Sequence, residues 1–211
     1  WDGRRWRWDE TGEVLRLAKK TARAVYSETE HARDQDHAQA IAKHAHASEK
    51  ADRLRAMVML AQSEEGVAVL PTGLDADPWA LNVANGTLDL RTGQLRPHRQ
   101  DDLITKITDV THEAGARSDL WDRFILTATG DDAELAGYLQ RVTGYALQGR
   151  VTEKAFWFLY GPPDTSKSTF VDSIAAALGN VATVAAVATW LVQKSTGGNR
   201  GDLVALLGAR R

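Results

Sequence analysis

Lys167 and Ser168 sit near the end of the stretch GPPDTSKST, residues 161–169. A lysine six residues after a glycine, followed at once by a hydroxyl, suits phosphate binding. The pattern approached is G-x-x-x-x-G-K-[ST], whose backbone N–H groups cradle phosphates. In that register Gly161 makes the sharp turn into the loop. Lys167 reaches the β and γ phosphates of ATP, and the Ser168 hydroxyl ligates Mg²⁺. Thr169 adds a phosphate contact. Pro162 and Pro163 lack N–H groups but stiffen the loop. Asp164, Thr165 and Ser166 complete the candidate nucleotide-binding stretch.

One position departs from the pattern. Ser166 stands where glycine is expected before the lysine. Glycine there lets the backbone approach phosphate without a Cβ in the way. With a negative φ, serine fits and only crowds the site. With a positive φ it carries strain of about 1–3 kcal/mol, enough to weaken binding roughly tenfold or more.

Such a loop must be held by a strand before it and a helix after it. KAFWFLYG (154–161) is a continuous apolar run of the length of a buried parallel strand. Phe170 to Leu178 reads as the helix, closed by Gly179. Val181 to Val187 is a weaker strand candidate. Upstream, Leu120, Trp121, Phe124, Ile125 and Ala128 define one helix face. Leu135, Leu139, Val142 and Ala146 define the next. Ser118 or Asp119 is placed to cap the first and Asp131 the second. Asp131, Asp132 and Glu134 form an acidic group, which a helix N-terminus attracts without any catalysis.

The first third of the chain is different. Asp2-Gly3 is a tight-turn pair, and Arg4 to Trp8 alternates like a strand. Arg4, Arg5, Trp6, Arg7 and Trp8 offer rings for bases and guanidinium groups for phosphates. The plainer reading is a hairpin whose tryptophans pack on the helices while the arginines face water. Thr11 to about Ala32 has helical spacing, with Val14, Leu17, Ala18, Thr21 and Val25 on one face. Asp36 to Ser63 is helical again, with a break near Ser48 and Gly66 at its end. His37, His44 and His46 lie there, without the carboxylate or cysteine partners of a metal shell. Then WALNVANGTLDLRTGQLRPH (79–98) places Asn85-Gly86 and Thr92-Gly93 between short apolar runs, the mark of short strands joined by tight turns. Leu103 to Val110 is expected to add a strand. The fold class expected is α/β, with an α+β N-terminal part. The polar stretch His112 to Ser118 divides residues 1–115 from 116–211.

The 211 residues carry a formal net charge of −2 and no cysteine. Disulfides and thiolate chemistry are excluded, and a reducing cytoplasm suits the composition. The overall charge gives no basic footprint for nucleic acid. No apolar run reaches the length of a membrane span. The chain begins within what reads as a hairpin and stops near an apolar run, so it is expected to be an internal fragment. Arg210 and Arg211 read as a solvated helix end.

ALNVANGTLDLRTGQLRPHRQDDLITKIT (80–108) resembles the region before the motor in phage and plasmid primase-helicases, the family that includes the poxvirus-type proteins. AGYLQRVTGYALQG followed by FWFLYGPPDTSKSTF resembles the start of their superfamily 3 helicase domain. The resemblance implies a linker domain over 1–115 and the first part of an AAA+-like ATPase core over 116–211. It implies a homo-hexameric ring that moves along DNA on ATP and Mg²⁺, in a bacterial host cytoplasm, with a primase domain often upstream. It aligns Gly161, Lys167, Ser168 and Thr169 with the phosphate and Mg²⁺ positions, and Lys167 with the catalytic one. The second acidic motif, sensor and arginine finger are expected beyond Arg211, so the fragment alone should bind nucleotide weakly and hardly turn it over. Two alternatives remain: a ring-assembly or DNA-loading adaptor with a decayed nucleotide site, and an unrelated phosphate-loop kinase.

Overall fold

The computed structural model describes residues 1–153 and 155–185. They form two units, residues 7–73 and residues 1–6 together with 74 onward. The fold is α+β: helices and one small antiparallel sheet.

Residues 7–73 are helical. Helix α1, Glu13–Ala24, is started by Asp9, whose carboxylate accepts the N–H groups of Glu13 at 2.8 Å and Val14 at 2.9 Å. The helix stops short of Ala32. Residues Val25–His31 tighten into a 3-10 turn, and the hydroxyls of Ser27 and Thr29 take the carbonyls of Ala24 and Tyr26 at 2.6 and 2.7 Å. Local hydroxyl bonds of this kind compete with helix continuation. Helix α2, Gln35–Ser48, is capped by Asp34, and α3 spans Ala51–Ala61. The break after Ser48 is the one the sequence predicts. Gly66 takes a left-handed φ of 80° but lies five residues past the end of α3, so it closes the turn that follows rather than the helix. Ala18, Ala22 and Leu54 form the core, with Met57 and Val58 against it.

The second unit is built on a meander. Strands β1 (Ala80–Val83), β2 (Gly86–Asp89) and β3 (Gln94–Arg96) pair antiparallel in chain order. Leu81 faces Leu88, and Leu88 faces Leu95. The first turn is Ala84-Asn85, one residue earlier than Asn85-Gly86. Gly86 pairs with Val83 inside the ladder, where a Cβ would collide with the Arg96 carbonyl. Thr92-Gly93 makes the second turn, with the Gly93 N–H on Asp89 O at 2.7 Å. Arg96 and Asp102 close a bidentate ion pair at 2.6 and 2.9 Å, which holds the guanidinium firmly charged. Leu81, Val83 and Val181 are buried together, with Leu88, Leu90, Leu147 and Leu178 around them.

Residues 103–110 do not form the expected strand. They run beside β1 as an irregular strap, with Thr108 N–H on Asn82 O at 3.0 Å and Ala84 N–H on Val110 O at 2.9 Å. The N-terminal hairpin is also reduced to its turn. The Asp2 carboxylate accepts the N–H groups of Arg4 and Arg5, both at 2.9 Å, and no strand follows. Trp6 is held by this sheet unit, through its indole N–H on Gln100 O and its backbone N–H on Ile104 O, both at 2.8 Å. Trp8 is 88 % exposed. Trp8 therefore does not pack as the expected apolar face required.

Helix α4, Asp119–Ala128, is capped by Ser118, and α5, Ala133–Leu147, by Asp132 rather than Asp131. Asp131 has a φ of 62°, which removes it from the capping geometry. Helix α6 spans Lys167–Leu178, and Gly179 ends it as expected. Residues 179–181 are a 3-10 turn, and 182–185 join no ladder. The rest of the 181–187 candidate, with Arg210 and Arg211, lies outside the described residues. Among the described residues no helix is long and apolar enough to cross a membrane, and no cluster of metal-ligating side chains forms.

Candidate phosphate-binding loop

The approach to the loop is set by α5. The Tyr145 hydroxyl accepts the backbone N–H groups of Thr152 and Glu153, both at 2.9 Å. Its contact with the Thr152 hydroxyl, together with these N–H groups, favours the phenolate and lowers the Tyr145 pKa. The Trp157 indole N–H donates to the Tyr138 hydroxyl at 2.9 Å, and its ring meets Tyr145 edge-on at 5.5 Å.

Residues 155–160 were expected as a buried parallel strand, and here the structure differs. They join no ladder. Phe156, Phe158 and Tyr160 are 77 %, 80 % and 92 % exposed, while Trp157 and Leu159 are about half as exposed, at 38 % and 41 %. The period of two is that of a strand, but a parallel strand exists only when neighbours supply its hydrogen bonds. No such neighbours occur among the described residues. The parallel sheet of the expected α/β core is therefore not formed there.

The loop itself is ordered by its own backbone. Gly161 turns with a φ of 151°. Asp164 and Ser166 have φ values of 58° and 63°, while Thr165 and Lys167 between and after them stay negative. Two left-handed positions bend the loop back on itself directly before the α6 N-terminus, an end that suits anions. Ser166 is also the N-cap of α6 and offers no side-chain cap. Phe170 is the first of the helix to find a backbone acceptor, Ser166 O at 3.0 Å. The N–H groups before it are left for other partners, at the positive end of the helix dipole.

Lys167 bends back over this loop. Its ammonium donates to Gly161 O at 3.2 Å, Pro162 O at 2.5 Å and the Thr165 hydroxyl at 2.8 Å. These are weakly charged acceptors for a full positive charge, and an anion would compete for it on favourable terms. The Thr165 hydroxyl also donates to Pro162 O at 2.8 Å. Ser168 and Thr169 are exposed on the first turn of α6.

The sequence pattern placed Gly161, Lys167 and Ser168 in register, and the geometry brings them to one helix start. It left open the sign of φ at Ser166, and the answer is the strained one. It missed Asp164 as a second left-handed position. An aspartate tolerates that conformation better than most residues, and that tolerance is the only signal. It also missed Tyr138 and Tyr145, which lie off the Leu135, Leu139, Val142 and Ala146 face that the sequence marks.

The D5 N terminal like family model matches residues 1–130. The chain belongs to that family, the N-terminal region of phage, plasmid and poxvirus D5-type primase-helicases. No curated protein matches the chain.

Proposed function

We propose that residues 161–169 hold the phosphates of ATP, and that the protein couples ATP hydrolysis to DNA unwinding within a hexameric ring. One observation carries the reading: left-handed Asp164 and Ser166 bend the loop directly before a helix headed by Lys167, whose ammonium folds back onto the Gly161 and Pro162 carbonyls. Backbone N–H groups from this turn and the first turn of α6 orient the phosphate oxygens. Lys167 leaves the carbonyls of Gly161 and Pro162 and meets the β and γ phosphates. Ser168 supplies a hydroxyl to Mg²⁺, which when bound neutralises charge between those phosphates. On this reading residues 1–115 are the linker and 116–211 open the ATPase region. The test is strand displacement on a forked DNA by the assembled family protein. Loss of ATP-driven unwinding in Lys167→Ala supports the reading, and unchanged unwinding overturns it.

A second reading has its own support. The unpaired 155–160 segment and the strain at Ser166 both suit an adaptor whose nucleotide site has decayed. In that case Ser166→Gly gains nucleotide binding that the natural chain lacks. The match of residues 1–130 to the primase-helicase family favours these two readings over the kinase alternative.

A further inference from the structure

Helix α6 starts at the candidate phosphate site, and its far end is fastened to residues of the family-matched region. The Thr108 hydroxyl donates to the Ala177 carbonyl. That carbonyl belongs to the last turn of α6, where carbonyls lack intrahelical partners. Thr108 is buried, its N–H is held by Asn82 O at 3.0 Å, and its hydroxyl accepts the Val110 N–H at 3.2 Å. One residue earlier, the Ile107 N–H donates to the Asn180 side-chain oxygen at 2.9 Å. Leu178 and Val181 then enter the core beside Leu81 and Val83. Between them Gly179 has a φ of 51°, with the position of an added Cβ 3.9 Å from Thr108 Cα. Near the other end, Phe170 stacks on Trp121 with ring centroids 6.2 Å apart.

We infer that Thr108 and Asn180 are positioning residues for the phosphate loop, fixing from within the linker strap where the α6 N-terminus points. This rests on the phosphate-cradle reading. Helix α6 has 12 residues, so it is a rod of about 18 Å. A small tilt at its anchored end displaces the N–H groups and Lys167 at the other. Hydrogen bonds to phosphate weaken steeply with misalignment. By reciprocity, a nucleotide that favours one α6 position also favours one state of the strap.

The test compares Thr108→Val, Thr108→Ser and Thr87→Val in the protein. Thr87 is likewise buried, in strand β2, but its hydroxyl bonds Asn82. Two quantities are read: affinity for a fluorescent Mg-ATP analogue, and amide exchange of residues 170–173, the first hydrogen-bonded amides of α6, without nucleotide. Thr108→Val is expected to weaken affinity about three- to tenfold, the worth of a lost hydrogen bond, and to speed that exchange. Thr108→Ser restores both. Thr87→Val lowers the melting temperature and changes neither. The inference is overturned if Thr108→Val melts lower yet keeps natural affinity and exchange. If the natural chain binds no nucleotide, the phosphate-cradle reading fails, and exchange alone decides. Faster exchange at 170–173 in Thr108→Val then keeps the anchor, and unchanged exchange removes it.

Discussion

Residues 80–96 and 155–169 carry the same kind of apolar signal and end in different states. In the meander, each strand meets its partner within a turn of two to four residues, so pairing needs no other part of the chain. All of β1 is buried as a result. The run at 155–160 is more apolar, yet it stays unpaired and presents Phe156, Phe158 and Tyr160 to solvent. Hydrophobicity alone does not make a strand. A hairpin closes locally, whereas a parallel strand needs a distant crossover to bring its neighbour. The loop at 161–169 beside that run is nevertheless shaped, because its geometry comes from backbone dihedrals and one lysine rather than from the sheet.

The strongest way to break this comparison is to disturb each region in turn. Asn82 is buried, with its amide on Arg4 O at 2.9 Å and its oxygen accepting the Thr87 hydroxyl at 2.6 Å. The His98 ring nitrogen Nδ1 also faces that oxygen at 3.3 Å. Asn82→Ala leaves these groups unsatisfied and should cost about 2–4 kcal/mol in urea denaturation. Phe158→Ser removes a larger apolar side chain from an exposed position and should cost no more than about 0.5 kcal/mol. Equal losses would mean that 155–160 is covered in solution as the meander is.

A smaller effect sharpens the loop's side of the comparison. Ser166 carries a positive φ before any ligand arrives, so its strain is shared by free and bound forms where the loop is already shaped. Glycine improves affinity only to the extent that the free loop leaves this conformation. Ser166→Gly should therefore match the natural affinity for Mg-ATP or exceed it by up to about tenfold, roughly 1.4 kcal/mol. Asp164→Gly, at the other left-handed position, should act in the same direction and less strongly, since aspartate is the better tolerated residue. A loss of affinity in Ser166→Gly would assign the serine side chain a contact of its own.

The smallest effect concerns the start of α1. Hydrogen bonds from the Val14 and Glu13 N–H groups lower the Asp9 pKa below its ordinary value. A depressed carboxylate stabilises the fold above its unfolded pKa, and that contribution is lost as pH falls through the folded value. Melting curves should show natural protein above Asp9→Ala at pH 6, with the gap narrowing below about pH 4. A gap independent of pH would deny the charge its role.

Local signals were legible in the sequence wherever one residue type decides the geometry. Ser118 caps α4, Gly179 ends α6, and the turn residues between short apolar runs in 79–98 mark the meander. Errors arose where a neighbour decides. Asp132 caps α5 because Asp131 turns left-handed, and the strap at 103–110 is irregular because it serves β1, Trp6 and α6 at once. The loop was legible as residues in register. Its left-handed pair was not, since neither aspartate nor serine announces a positive φ. The anchors at Thr108 and Asn180 join residues about 70 positions apart, a distance that no local pattern encodes.

The phosphate cradle is tested most directly by titrating the protein with a fluorescent ATP analogue in the presence and absence of Mg²⁺, beside Lys167→Ala. Saturable Mg-dependent binding is expected for the natural chain, with binding abolished when the Lys167 charge is removed. Binding by Lys167→Ala equal to that of the natural protein would contradict the role given to residues 161–169.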